Sequence, residues 1–96
     1  MTTKRVYNFS AGPSTLPVSV LEKIASQMLN YNDSGMSVME MSHRSSSYLD
    51  IFNETKAMLK KVMNIPDDYQ ILFIQGGATQ QFSTIPLNLM KNGKAD

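Results

Sequence analysis

Residues 71–79 read Ile-Leu-Phe-Ile-Gln-Gly-Gly-Ala-Thr, an apolar run that leads into a glycine pair and then into small residues. Four consecutive apolar residues predict a strand that is buried on both faces, as in a parallel sheet. Gly76 and Gly77 allow the backbone to turn tightly, and a helical pattern follows them. The order of strand, turn and helix predicts an α/β fold.

The glycine turn also predicts a phosphate-binding site at the start of the following helix. The first amides of a helix have no partner within it, and they lie at the positive end of the helix dipole. An anion at Ala78 and Thr79 would meet these free N–H groups, and the Thr79 hydroxyl adds a donor. The alternative is that Gly76 and Gly77 form only a sharp turn. The lysine of a nucleotide-binding P-loop and the Rossmann glycine pattern are both absent.

Composition narrows the class of function. The 96 residues include nine basic and eight acidic side chains, and the lysines are scattered, so neither a nucleic-acid nor an anionic-membrane surface is indicated. One histidine and no cysteine do not make a typical zinc site, and no metal is expected. The N-terminus lacks an apolar signal segment, which favours the cytoplasm. A small-molecule function is therefore expected, and a chain this short is expected to be one small domain or part of a larger one.

Three helices are predicted. The first begins at Leu16-Pro17 and ends at 30–32. The second follows Ser47, which together with Asp50 resembles a capping box, and it ends at Ile65-Pro66. Residues 36–41 between them are predicted to form a short strand or an extended loop. The third helix follows the glycine turn, and Pro86 is expected to kink or shorten it.

His43 and Arg44 are a second candidate for anion binding. They are adjacent in a segment rich in serine, and His43 is the only histidine of the chain. A guanidinium presents a planar fork to a carboxylate or phosphate, and an imidazolium adds a charged donor. The alternative is ordinary: Arg44 pairs with a surface carboxylate and His43 packs before the second helix.

Taken in order, several segments closely resemble the N-terminal part of the phosphoserine aminotransferase family, within the class V aminotransferases of fold type I. The resemblance covers nearly the whole chain, and the order and spacing of the segments make it specific. The segments that carry it are Asn8 to Pro13, Leu16-Pro17, Ser37 to Ser45, Ile65-Pro66, Tyr69, Leu72-Phe73, Gln75 to Gly77, Gln81-Phe82 and Pro86 to Leu89.

The resemblance implies a pyridoxal-phosphate-dependent transferase with a parallel-rich sheet covered by helices, of which this chain is an incomplete, N-terminal segment. It implies transfer of the amino group of L-glutamate to 3-phosphohydroxypyruvate, giving O-phospho-L-serine and 2-oxoglutarate in serine biosynthesis, and in many bacteria a role in pyridoxine synthesis. A cytoplasmic homodimer is expected. Residues 1–34 would form an N-terminal arm and first helix, and residues 35–96 would start the cofactor-binding domain.

The resemblance also implies roles for individual residues. Ala78 and Thr79 would bind the cofactor phosphate, although many relatives have arginine or cysteine at this turn, so backbone amides are expected to matter more than the Thr79 side chain. His43 and Arg44 would hold the acidic groups of the substrate, reaching into the site of the neighbouring subunit. The loop at 10–12 would line the substrate pocket. No catalytic residue is expected in this chain, and the Schiff-base lysine is expected beyond Asp96. The alternative is a stand-alone phosphate-binding or interaction module without catalysis.

Overall fold

The computed structural model describes residues 4–94, and the regular structure in this part of the chain is helical. The helices are α1 (Val18–Ser26), α2 (Ser46–Met63) and α3 (Gly77–Leu89), and a short 3₁₀ turn spans Val38–Glu40. The chain divides into two compact units, Met1–Ala57 and Met58–Asp96, with the division inside α2.

The predicted strand over residues 71–74 is not formed, and no strand is present in residues 4–94. A strand is stabilised by hydrogen bonds to its neighbours in a sheet. The side chains of Leu72, Phe73 and Ile74 are more than half exposed, at 71%, 53% and 55%. The structure therefore shows neither the predicted strand nor the parallel sheet to which it would belong, because the run has the composition of a strand without a sheet to join.

Helix α1 is shorter than predicted. It begins after Pro17, whose carbonyl accepts the amides of Val20 and Leu21 at 3.1 and 3.2 Å, and it ends at Ser26 instead of at 30–32. The residues that follow form a tight loop, in which the Asn30 side-chain oxygen accepts the amide of Gly35 at 2.8 Å. At the end of the helix itself, the amides of Gln27 and Met28 donate to carbonyls three residues back, those of Ile24 and Ala25, so the α-helical bonding pattern stops there.

Residues 36–41 form a 3₁₀ turn at Val38–Glu40 where a short strand or extended loop was predicted. The Ser37 hydroxyl accepts the Met39 amide at 3.3 Å, and the Glu40 carboxylate accepts the Ser37 amide at 2.8 Å. These two bonds form a capping box. Ser37 is 6% exposed and is the buried residue of this region. The alternation that suggested a strand is outweighed by this local hydrogen bonding.

The N-cap of helix α2 lies two residues before the predicted one. The Ser45 hydroxyl accepts the Tyr48 amide at 3.2 Å, and the Ser45 carbonyl accepts the Leu49 amide at 3.0 Å. Ser45 is therefore the N-cap, and the prediction that Ser47 caps the helix with Asp50 is wrong, because Ser47 already lies within the first turn.

The end of α2 agrees with the prediction. The helix stops at Met63, and Asn64 adopts a left-handed conformation with φ of 57°. The Ile65 amide then donates to the Lys60 carbonyl at 2.9 Å, the bond expected of a Schellman motif. Pro66 follows and does not continue the helix. Lys60 also forms an ion pair with Asp67 at 3.1 Å.

The described residues bury no hydrophobic side chain. Their order comes from hydrogen bonds close in sequence, such as the caps of α2 and the capping box at Ser37. Of the helices in residues 4–94, none combines the length and apolar character needed to cross a membrane.

Candidate functional site

The predicted glycine turn is present at the start of α3. Gly76 is the N-cap with φ of 93° and ψ of −3°, and Gly77 has φ of 58°. Both conformations are left-handed, where side chains with a Cβ are disfavoured. The Gly76 carbonyl accepts the first helical hydrogen bond from the Gln80 amide at 3.2 Å. The two glycines thus set the direction in which α3 begins.

The turn leaves a group of backbone donors free. Because the first helical bond comes from Gln80, the amides of Gly77, Ala78 and Thr79 have no intrahelical carbonyl to bond. The structure therefore brings Ala78 and Thr79 together at the positive end of the 13-residue α3, where an anion is favoured.

The two glycines differ in how much free space lies beside their α-carbons. A Cβ built on Gly76 would overlap the side chain of Gln80, whereas a Cβ built on Gly77 would meet no atom within 4 Å. The backbone at Gly77 is thus open to a close approach from outside. Amide donors and a hydroxyl suit a phosphate group, which offers only acceptors at neutral pH when fully ionised. The residues present fit a phosphate at this turn.

An apolar groove runs along α3 from the same end. It has a volume of about 600 Å³, and Ala78 belongs both to this groove and to the free amides. The helix continues through Pro86 to Leu89, so the proline does not end it. The groove is lined by Ala78, Gln81, Phe82, Ile85, Pro86, Leu89 and Met90.

His43 and Arg44 lie in the turn that precedes α2. The Ser45 amide donates to the Ser42 carbonyl at 3.0 Å, and the Arg44 amide donates to the Ser42 hydroxyl at 3.2 Å. These bonds fix the backbone from which both side chains extend. Both residues are exposed, and neither side chain forms an ion pair in residues 4–94. The surface carboxylate considered as the alternative partner of Arg44 is not found in this part of the chain.

The N-terminal loop lies in the same unit as His43 and Arg44. The Ser10 amide donates to the Asn8 side-chain oxygen at 2.9 Å, and the Arg5 guanidinium donates to the Leu16 carbonyl at 2.9 Å. Ala78 and Thr79 belong to the other unit. In residues 4–94, no group of His, Asp or Glu side chains is arranged as metal ligands.

The sequence patterns did not identify one residue of this site, Gln80. Gln80 follows the glycine pair by three residues, and its side chain occupies the position that a Cβ on Gly76 would take. Its position four residues after the N-cap could have indicated this contact, because side chains in a helix lean toward the N-terminus and so reach back over the preceding turn.

Comparison with known proteins extends these observations. The family model for class-V aminotransferases matches residues 6–96. The chain belongs to the class-V aminotransferase family. Two relatives named phosphoserine aminotransferase, from Bacillus thuringiensis subsp. konkukian and Listeria monocytogenes, are 60% and 53% identical over 91 and 92 residues, which is 95% and 96% of this chain. The chain spans 25% of the length of each of these relatives.

Solved structures of phosphoserine aminotransferases are similar to this chain as well. Phosphoserine aminotransferase from Bacillus circulans subsp. alkalophilus superposes with a TM-score of 0.87 at 47% identity, over 96% of this chain and 26% of that one. The enzyme from Trichomonas vaginalis, solved with bound pyridoxal phosphate, gives a TM-score of 0.85 at 43% identity, over 92% of this chain and 24% of that one. The family assignment expected from the sequence segments is confirmed.

Proposed function

We propose that this chain is the N-terminal part of a phosphoserine aminotransferase that uses pyridoxal phosphate. The complete enzyme would transfer the amino group of L-glutamate to 3-phosphohydroxypyruvate, giving O-phospho-L-serine and 2-oxoglutarate for serine biosynthesis. The observation that carries the proposal is the 60% identity over 91 residues to a protein of that name. In the complete enzyme, residues 71–74 would join a parallel-rich sheet covered by helices.

The turn at the start of α3 is the proposed site for the cofactor phosphate. The amides of Ala78 and Thr79 would donate to phosphate oxygens, and the Thr79 hydroxyl would add a side-chain donor. The left-handed Gly76 and Gly77 and the open space beside Gly77 support this assignment. Pyridoxal phosphate, when bound, supplies the electron sink for the transfer of the amino group. The role of this turn is therefore to anchor and orient the cofactor.

His43 and Arg44 are proposed to bind the acidic groups of the substrates. Both side chains are exposed and unpaired in the described chain, and the Ser42 hydrogen bonds hold their backbone. An Arg44 guanidinium free of a protein carboxylate retains its fork of donors for a substrate carboxylate or phosphate. In a homodimer, this turn would reach into the site of the neighbouring subunit.

The lysine that binds the cofactor covalently is proposed to lie beyond Asp96. Two lysines of α2 already have partners within this chain. Lys60 pairs with Asp67 at 3.1 Å, and the Lys56 ammonium lies 4.5 Å from the centre of the Phe52 ring. Residues 1–34 are proposed as an arm and first helix, and residues 35–96 as the start of the cofactor-binding domain. The enzyme is proposed to be a cytoplasmic homodimer.

A stand-alone phosphate-binding module is not favoured, because the similarity to aminotransferases extends over 95% of the chain. The full-length polypeptide that carries this chain provides the test. After addition of pyridoxal phosphate, we expect a protein-bound cofactor absorbance and a sustained production of 2-oxoglutarate, over many turnovers, that requires both L-glutamate and 3-phosphohydroxypyruvate. Omission of each substrate in turn is the control. Cofactor binding without turnover would contradict the assigned reaction, and the absence of both would contradict the proposal as a whole.

A further inference from the structure

The side chain of Gln80 has a position that the anchoring role of Ala78 and Thr79 does not explain. It folds back along α3 toward the helix start, so that its Oε1, Cδ and Cβ atoms occupy the space where Gly76 would carry a Cβ. The backbone of Gln80 is tied to the same glycine, because its amide donates to the Gly76 carbonyl at 3.2 Å. Gln80 therefore contacts Gly76 through both its backbone and its side chain.

This contact bears on the conformation of the turn. Gly76 has φ of 93° and ψ of −3°, and glycine has more conformational freedom than any other residue. A side chain that covers the α-carbon of Gly76 restricts that freedom on one side. The amides of Ala78 and Thr79 follow the turn directly, so their direction depends on the conformation of Gly76. Gln80 is exposed, and so its carboxamide carries no core packing that would require it to lie there.

We infer that Gln80 is a positioning residue for the phosphate site at the start of α3. Its side chain holds Gly76 in the left-handed conformation that directs the amides of Ala78 and Thr79 toward one anion. This inference rests on the proposed function, in that the anion is the phosphate of pyridoxal phosphate. It assigns a role to a residue that need not touch the cofactor.

Substitutions of Gln80 in the full-length polypeptide test the inference. Gln80→Ala removes the Oε1 and Cδ atoms that cover Gly76, keeps the Cβ atom, and is expected to weaken pyridoxal phosphate binding about threefold, the scale of one small contact. Gln80→Met keeps an unbranched chain of similar length and is expected to stay within about twofold of the parent. Gln80→Glu adds a negative charge beside the turn and is expected to raise the dissociation constant about tenfold through repulsion of the phosphate.

A matched control separates local charge from a general effect. Gln81→Glu makes the same change one residue later, where the side chain lines the apolar groove of α3 instead of covering Gly76. Since successive residues of a helix face different directions, we expect this variant to affect cofactor affinity less than Gln80→Glu does. Circular dichroism of each variant checks that the protein is folded.

The decisive measurement compares pyridoxal phosphate with pyridoxal, which lacks the phosphate, by absorbance titration. A positioning role in the phosphate site predicts that Gln80→Ala weakens binding of pyridoxal phosphate but leaves pyridoxal unchanged, and that Gln80→Met restores the affinity. Equal loss for both ligands, or no loss for pyridoxal phosphate, would overturn the inference. If the parent binds no pyridoxal phosphate at all, the proposed function fails instead, so the two failures are distinct.

Discussion

Replacing each glycine of the turn with alanine gives the sharpest test of the geometry at the start of α3. At Gly77, φ is 58° and a new Cβ would meet no atom within 4 Å. The change then costs only the strain of a left-handed residue, about 1 kcal/mol. At Gly76, φ is 93°, and a new Cβ would overlap the side chain of Gln80. One of the overlapped atoms is the Gln80 Cβ, which the helix backbone fixes, so the turn itself must move.

The expected magnitudes therefore differ between the two variants. Backbone strain at Gly76, together with displacement of Gln80, is expected to total about 3 kcal/mol. If the bound cofactor requires the original turn, Gly76→Ala raises the dissociation constant of pyridoxal phosphate about 150-fold, and Gly77→Ala raises it about fivefold. Absorbance titration of the two full-length variants against the parent measures both. Equal affinities for the two variants, or the reverse order, would refute the steric reasoning.

The remaining predictions concern single side chains in the full-length polypeptide. Arg44→Ala is expected to weaken transition-state binding by about 2 to 5 kcal/mol, seen as a lower kcat/KM for both substrates, while the affinity for pyridoxal phosphate stays unchanged. If kcat/KM of the variant equals that of the parent for both substrates, the substrate role of Arg44 is rejected. Thr79→Ala is expected to weaken cofactor binding by at most about 1.5 to 3 kcal/mol. Gly77→Val is expected to weaken cofactor binding more than Thr79→Ala does, since a β-branched residue restricts the turn. Ser45→Ala is expected to destabilise α2 by about 1 kcal/mol in thermal unfolding, whereas Ser47→Ala, the control, does so less.

Elements determined by nearby residues were predictable from the sequence. The apolar spacing of α2 and the closure at Ile65-Pro66 depend on contacts within one or two turns, and the helix ends at Met63 as the pattern indicates. The start of α2 was placed two residues late because Ser45 and Ser47 are chemically identical candidates. Only the observed bond from the Tyr48 amide to the Ser45 hydroxyl distinguishes them.

Elements that depend on distant partners were not predictable in the same way. The run at 71–74 has the composition of a buried strand, but a strand forms only where another segment accepts and donates its backbone hydrogen bonds. The early end of α1 is a different case, because the amides of Gln27 and Met28 bond carbonyls three residues back and the Asn30 side chain then accepts the Gly35 amide in the loop that follows. Helical spacing continues through this region of the sequence, yet it carries no information about these local hydrogen bonds.

The glycine turn was predictable in part and not predictable in part. The order of an apolar run, two glycines and small residues predicted a tight turn into a helix, and Gly76 and Gly77 both adopt left-handed conformations there. The sequence does not distinguish the two glycines, because either could relieve backbone strain. The structure does distinguish them, since Gln80 covers Gly76 and leaves Gly77 open. Gly76 is then required by contact with a side chain of its own helix, and Gly77 by its left-handed conformation and, in the proposed phosphate site, by the space that it leaves for the anion.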